Sequence, residues 1–142
     1  MGLGYVTYEM NSKRKHFSIS ELSEEFGVTP RTLRFYEDRN LISPAREGQT
    51  RIYSSADRAR LAWILRGKRV GFTLTDIGEV LDMYYDEGGR YKQSKITLEA
   101  CNKRISQLEA QRQDIDETIK DLREMVQAIE DWIETQTPKD NG

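Results

Sequence analysis

Apolar positions along the chain fall into two regimes. Up to about Leu81 they come in short clusters separated by turn residues, and beyond Gln93 they follow one sustained stripe. In "FSISELSEEFG", Ser18 and Glu21 stand at capping-box spacing and Phe17 and Leu22 at staple spacing, with Ser20 as an alternative cap. Gly27 is placed to end the helix. "VTPRTLRFYEDRN" then opens a second helix, with Thr29 at the N-cap, Pro30 at the first helical position and Val28 stapling Leu33. Ile19, Leu22, Phe26, Val28 and Leu33 form one small shared face, which turns Arg31, Thr32 and Arg34 elsewhere. Two short helices meeting at a tight glycine turn constitute helix-turn-helix patterning.

Pro44 and Gly48 punctuate "LISPAREGQTRIY", and Ile52 and Tyr53 favour a strand, so this segment reads as a two-stranded wing. A third helix begins at Ser54 or Ser55, turns Leu61, Ile64 and Leu65 inward and stops at Gly71. A fourth is opened by Thr73 and Asp76, with Phe72 and Ile77 as its staple. These elements predict one domain over residues 17–85, preceded by a flexible tail over 1–16 that holds the lone His16. "DEGGRYKQ" then reads as a junction loop over 86–92.

Steps of three and four link Leu98, Cys101, Ile105, Leu108, Ile115, Ile119, Leu122, Val126, Ile129 and Ile133, interrupted only by Arg112. Five heptads of this kind predict a single helix over 93–135, about 60 Å long at 1.5 Å per residue. Its stripe exceeds what the small front domain can cover, so the expected partner is the same helix of a second copy. A frayed tail over 136–142 follows. The fold class is therefore mainly α: a winged helix-turn-helix followed by a coiled-coil dimerisation helix.

Charge sharpens this picture. The chain of 142 residues has a net charge of −2, yet Lys13 to Arg69 carries 13 Lys/Arg against 7 Asp/Glu, while Val70 to Gly142 carries 9 against 16. A basic front suits phosphate attraction, and an acidic rear opposes indiscriminate adhesion. A single cysteine excludes an intramolecular disulfide, no run of 18 apolar residues could cross a membrane, and the N-terminal residues lack the pattern of a secretory signal, so a cytoplasmic setting is expected. No nucleophile elbow, Walker loop or paired-histidine helix is present, which argues against an enzyme, and no metal or cofactor is expected.

For nucleic acid the candidates converge on one stretch. The helix opened by Thr29 offers its first N–H groups to a phosphate, Arg31 and Arg34 to base edges or backbone, and the Tyr36 hydroxyl to a phosphate, with Arg46 and Arg51 flanking on the wing. Phe35 is expected in the core, Tyr53 on the DNA side, and Arg39 as a solvated partner of Glu37 or Asp38. Lys68 and Arg69 suit either a phosphate contact or a helix C-terminus. Trp63 and Trp132 read as core or seam residues. Tyr84, Tyr85 and Tyr91 cluster at the junction, where interdomain packing competes with an aromatic-walled effector pocket. Cys101 reads as a seam thiol, with a thiol or metal sensor as the alternative. A coiled-coil module gripping an acidic protein partner is the rival to DNA binding.

"GVTPRTLRFYE", "LISP", the basic wing ending "RIY" and "GFTLTDIGEVL" closely resemble the MerR family of bacterial transcription regulators from Phe17 to about Leu81. The resemblance implies an antiparallel homodimer on an inverted-repeat operator, distorting promoter DNA so that RNA polymerase can open it, in a regulator that is nucleoid-associated when bound. By motif position it implies DNA contacts from Arg31, Arg34 and Tyr36 and from Arg46, Arg51 and Tyr53 on the wing, with Lys68 as a weaker match, while Thr29 and Thr32 stay DNA-side candidates from their place at the start of the helix. Two departures stand out: Thr50 precedes Arg51 where the family often has an aromatic, and Asn40 replaces a turn glycine, a substitution the left-handed region tolerates. Neither "DEGGRYKQ" nor "QAIEDWIETQTPKDNG" holds the cysteines of metal-sensing relatives, and no large ligand domain is expected, which leaves a small organic or acyl effector, or none.

Overall fold

The computed structural model describes residues 15–136 and 138; the expectations for the first fourteen residues and for most of the C-terminal tail fall outside them. Two units are distinguished, one reaching Thr97 and the other starting at Leu98. The first contains β1 (His16–Phe17), α1 (Ile19–Phe26), α2 (Pro30–Asp38), β2 (Ala45–Glu47), β3 (Thr50–Ser54), α3 (Ser55–Arg69), α4 (Leu74–Asp82) and a single 3-10 turn (Met83–Tyr85). It also holds the first residues of α5 (Gly89–Gln136).

Local chemistry explains where the helices start. At α1 the Glu21 N–H donates to Ser18 Oγ and the Ser18 N–H to Glu21 Oε1, each at 3.0 Å, a complete capping box. Gly27 ends α1 at φ 66°, a left-handed conformation in which a β-carbon would be strained. Thr29 caps α2 by accepting from the Thr32 N–H at 3.1 Å, with Pro30 following. Ser54 and Asp57 form a second capping box at α3, settling the start of that helix on Ser55. Asn40 stands at φ 59°, in the left-handed region.

The sheet has the order β1-β3-β2 with both pairings antiparallel. Its first strand is a correction to the sequence reading: His16 pairs with Ser54 and Phe17 with Tyr53, so His16 belongs to the folded unit. In the wing, Ala45 pairs with Ile52, Arg46 with Arg51 and Glu47 with Thr50, around a two-residue turn that puts Gly48 at φ 62°. The core gathers Leu22, Leu33, Ile42, Tyr53, Leu61 and Ile64, each with at most 1% of its surface exposed.

Two buried polar groups join these elements. Asp57 accepts from the Ser43 N–H (3.2 Å) as well as from Ser54, tying the segment after α2 to the start of α3. Arg60 donates from Nε to the Leu41 carbonyl (2.7 Å) and from Nη2 to Asp82 Oδ1 (3.1 Å), spanning from the exit of α2 to the end of α4. Both satisfy groups that would otherwise be buried without partners.

The expected loop over 86–92 is also corrected, because α5 already begins at Gly89. Gly88 makes the turn at φ 66°. Gly89 is required by close approach: a β-carbon there would lie 1.7 Å from the Met83 carbonyl oxygen. The two glycines therefore launch the helix rather than interrupt it. Its first turns are fixed within this unit by Gln93, whose side-chain amide donates to the Val80 carbonyl at 3.1 Å.

From Leu98 on, α5 runs uninterrupted to Gln136. Its stripe is exposed within the single chain: Leu98, Ile105, Leu108, Ile115, Ile119, Leu122, Val126, Ile129 and Ile133 all keep more than two fifths of their surface accessible, and Cys101 is half-buried. Met125 and Trp132 add to the exposed apolar surface near the C-terminal end.

Candidate nucleic-acid interface

Helix α2 carries the site, and its rotational phase decides which side chains are available. Leu33 and Tyr36 are buried, and at 3.6 residues per turn the opposite side of the helix presents Arg31, Arg34, Phe35 and Asp38, all exposed. Among the described residues, neither Arg31 nor Arg34 forms an ion pair. Thr29 is exposed and Thr32 half-buried at the start of the same helix, with their hydroxyls 2.9 Å apart.

The two aromatics of "RFYE" are exchanged relative to the sequence reading. Tyr36, expected to reach DNA, is 6% exposed and packs in the core, where burial raises its pKa. Phe35, expected in the core, is 46% exposed. Tyr53 is likewise corrected: it is fully buried opposite Phe17, and its hydroxyl makes no hydrogen bond within the described structure. Burial, reinforced by the Glu37 carboxylate, raises its pKa. An i+3 step from Leu33 to Tyr36 is the signal that separates the two aromatics.

Arg46 and Arg51 stand directly opposite each other on the wing, an arrangement that would set like charges together. Glu37 of α2 resolves it. Arg51 Nε donates to Glu37 Oε2 at 2.7 Å and Arg46 Nη2 to Oε1 at 3.0 Å. Partial burial alone would raise the Glu37 pKa, but the hydrogen bonds and charges of Arg51 and Arg46 outweigh it and hold the carboxyl below its ordinary value. The carboxylate thus ties wing to helix, and each guanidinium, with five donors, keeps N–H groups free for another acceptor. Arg39 does not pair with Glu37 or Asp38 as expected: its Nη2 lies 3.4 Å from Thr75 Oγ1 on α4, and its guanidinium stands over the Phe35 ring.

Lys68 is exposed in the last turn of α3, beside Arg66 and Arg69. The junction tyrosines are exposed too. Tyr84 meets Tyr85 edge to face with ring centroids 5.7 Å apart, and Lys95 stands over the Tyr91 ring.

A short helix capped by Thr29, a cationic outward face and a wing tied to that helix form a surface suited to lie along a polyanion. Comparison with known proteins agrees. The sequence profile described as "MerR HTH family regulatory protein" matches residues 17–84, and that described as "MerR, DNA binding" matches residues 58–125. The chain belongs to the MerR family. It is similar to the HTH-type transcriptional regulator HmrR of Rhizobium leguminosarum bv. viciae, 27% identical over 112 residues that cover 78% of this chain and 84% of the relative. It is 35% identical to the HTH-type transcriptional regulator ZntR of Escherichia coli (strain K12) over 72 residues, 49% of this chain and 51% of that one.

Among solved structures, this MerR-family chain resembles a MerR-family transcriptional regulator from Bacillus cereus at a TM-score of 0.63 and 26% identity, covering 81% of this chain and 83% of that one. It also resembles the N-terminal part of the multidrug transporter activator Mta of Bacillus subtilis, at a TM-score of 0.52 and 28% identity, covering 78% and 97%. The protein is thus a MerR-family DNA-binding transcriptional regulator. No helix among the described residues is long and apolar enough to cross a membrane.

Proposed function

We propose that this regulator works as an antiparallel homodimer on an inverted-repeat promoter operator, distorting the duplex to control transcription by RNA polymerase, with a small organic or acyl molecule as effector. The observation that carries the dimer is the stripe from Leu98 to Ile133, which stays exposed among the described residues. Arg112 favours the antiparallel sense. Parallel, in-register pairing would set the two copies' Arg112 side chains against each other in the seam, whereas antiparallel pairing separates them. Two DNA-binding units held by one seam read two half-sites, and the binding energy is available to deform the DNA between them.

Arg31 and Arg34 are assigned to base edges or backbone, Thr29 and Thr32 to a phosphate at the start of α2, and Arg46, Arg51 and Lys68 to flanking phosphates. Exposure of Tyr84, Tyr85 and Tyr91 supports the junction as the place where an effector would act. The test is a gel-shift series on inverted-repeat and scrambled promoter duplexes over a range of salt. Expected are a strong salt dependence and a clear preference for the inverted repeat, with Arg34→Ala costing about 1–3 kcal/mol on the operator alone. Equal affinity for every duplex would overturn the operator reading.

A further inference from the structure

We infer that Phe35 is a specificity-determining residue, its ring packing on the 5-methyl group of a thymine in the major groove. The inference rests on the DNA-binding role proposed for α2. On that helix Phe35 lies about 40° around the axis from Arg31, on the side away from Leu33 and Tyr36. A surface that binds DNA with Arg31 and Arg34 therefore brings the Phe35 ring against the same groove.

Exposure alone would not distinguish this ring, since single apolar side chains are common on surfaces. Its support does. Arg39 holds its guanidinium 5.8 Å from the ring centroid and is itself anchored to Thr75 on α4. Tyr36 flanks the ring from the core side, with centroids 6.1 Å apart and planes tilted by 49°. The ring is thus held between two neighbours while nearly half of its surface stays open. It has no donor or acceptor for a phosphate oxygen, and thymine alone among the four bases presents an apolar group in the major groove. Arg31 and Arg34 supply charge and polar contacts, and the ring supplies preference for a methyl-bearing base.

The experiment uses the full chain. A duplex selected by the wild-type protein from a random pool is resynthesised with each thymine replaced in turn by deoxyuridine, which lacks only the methyl group. One thymine in each half-site is expected at which this replacement weakens wild-type binding about fourfold, the worth of one buried methyl group. The same replacement should leave Phe35→Ala and Phe35→Gln unaffected, while replacements elsewhere act equally on all three proteins. Thermal unfolding of both variants should match wild type, because the ring is not part of the core. Deoxyuridine effects that persist unchanged in both variants, or none at any thymine, would overturn the inference while leaving DNA binding intact. Failure of the wild type to select any duplex would instead overturn the operator reading, and this inference with it.

Discussion

Leu33 and Ile119 are both aliphatic residues on the apolar stripe of a helix, yet Leu33 has no exposed surface and Ile119 keeps 42% of its own. In the unit that reaches Thr97, apolar positions on α1, α2, α3 and the sheet converge on one core. Beyond Leu98, α5 repeats the same three-and-four spacing, and its stripe stays exposed among the described residues. Periodicity specifies which face is apolar; it does not specify what covers that face. The covered region should behave as a folding unit of its own, and the uncovered one as half of an interface.

The sharpest way to break that distinction is to place a charge on the stripe. Ile119→Glu should cost the dimer on the order of 5 kcal/mol, because each copy contributes an unpaired carboxylate to the seam. Sedimentation equilibrium should then give monomers at concentrations where the wild type is dimeric, and operator affinity should fall with dimerisation. An unchanged molecular mass would mean that the stripe is not the seam.

Truncation in the core gives the complementary test. Leu33→Ala should lower the stability of the front unit by about 2–5 kcal/mol. Urea titrations followed by a signal local to that unit should show a midpoint shift independent of protein concentration. The milder truncation Ile119→Ala should instead shift a transition that moves with concentration, as expected for a contact between copies. If both shifts depended on concentration in the same way, the two regions would not be separable.

A smaller effect is expected where the wing is tied to α2. Glu37→Gln removes the charge that holds Arg46 and Arg51 together and should weaken operator binding about threefold to fivefold, with the front unit still folded. Because the folded-state pKa of Glu37 is depressed, the stabilisation is fully present above the ordinary glutamate value of about 4.3 and is lost as pH falls below it. Carbon-detected NMR titration of the Glu37 carboxyl should give a midpoint below that value, and Arg51→Ala should move it up. A midpoint at or above the ordinary value would mean the tie is not maintained in solution.

These contrasts explain which features were legible in the sequence. Ser18, Thr29, Ser54 and Gly27 act through their immediate neighbours, so spacing brings out these helix ends, leaving only the choices between Ser18 and Ser20 and between Ser54 and Ser55 to the capping bonds. The stripe of α5 was legible for the same reason, since every step lies within four residues. His16 and Phe17 were missed as a strand because their partners, Ser54 and Tyr53, lie more than thirty positions away and no local signal announces them. The start of α5 is hidden in the sequence because Gly89 reads as a helix breaker, whereas its lack of a side chain is what lets Met83 approach. On α2, the exposure of Arg31 and Arg34 follows directly from helical phase. That of the aromatics does not, because a large ring suits a core and a groove equally and only packing against Leu33 and Phe17 assigns Tyr36 and Tyr53 inward.

The smallest expected effect tests that last assignment. Tyr53 is fully buried, and its hydroxyl has no hydrogen-bond partner within the described structure, so the oxygen has been taken out of water without compensation. Removing it should relieve that cost: Tyr53→Phe is expected to leave stability within about 0.5 kcal/mol of wild type, or to raise it, while keeping the ring that packs opposite Phe17. Operator affinity should be unchanged, in contrast to Arg34→Ala. A several-fold loss of affinity with unchanged stability would mean that the hydroxyl turns outward to a phosphate when DNA binds. The wing would then open at Tyr53 on contact, and the boundary between the core and the reading surface would be one that DNA itself moves.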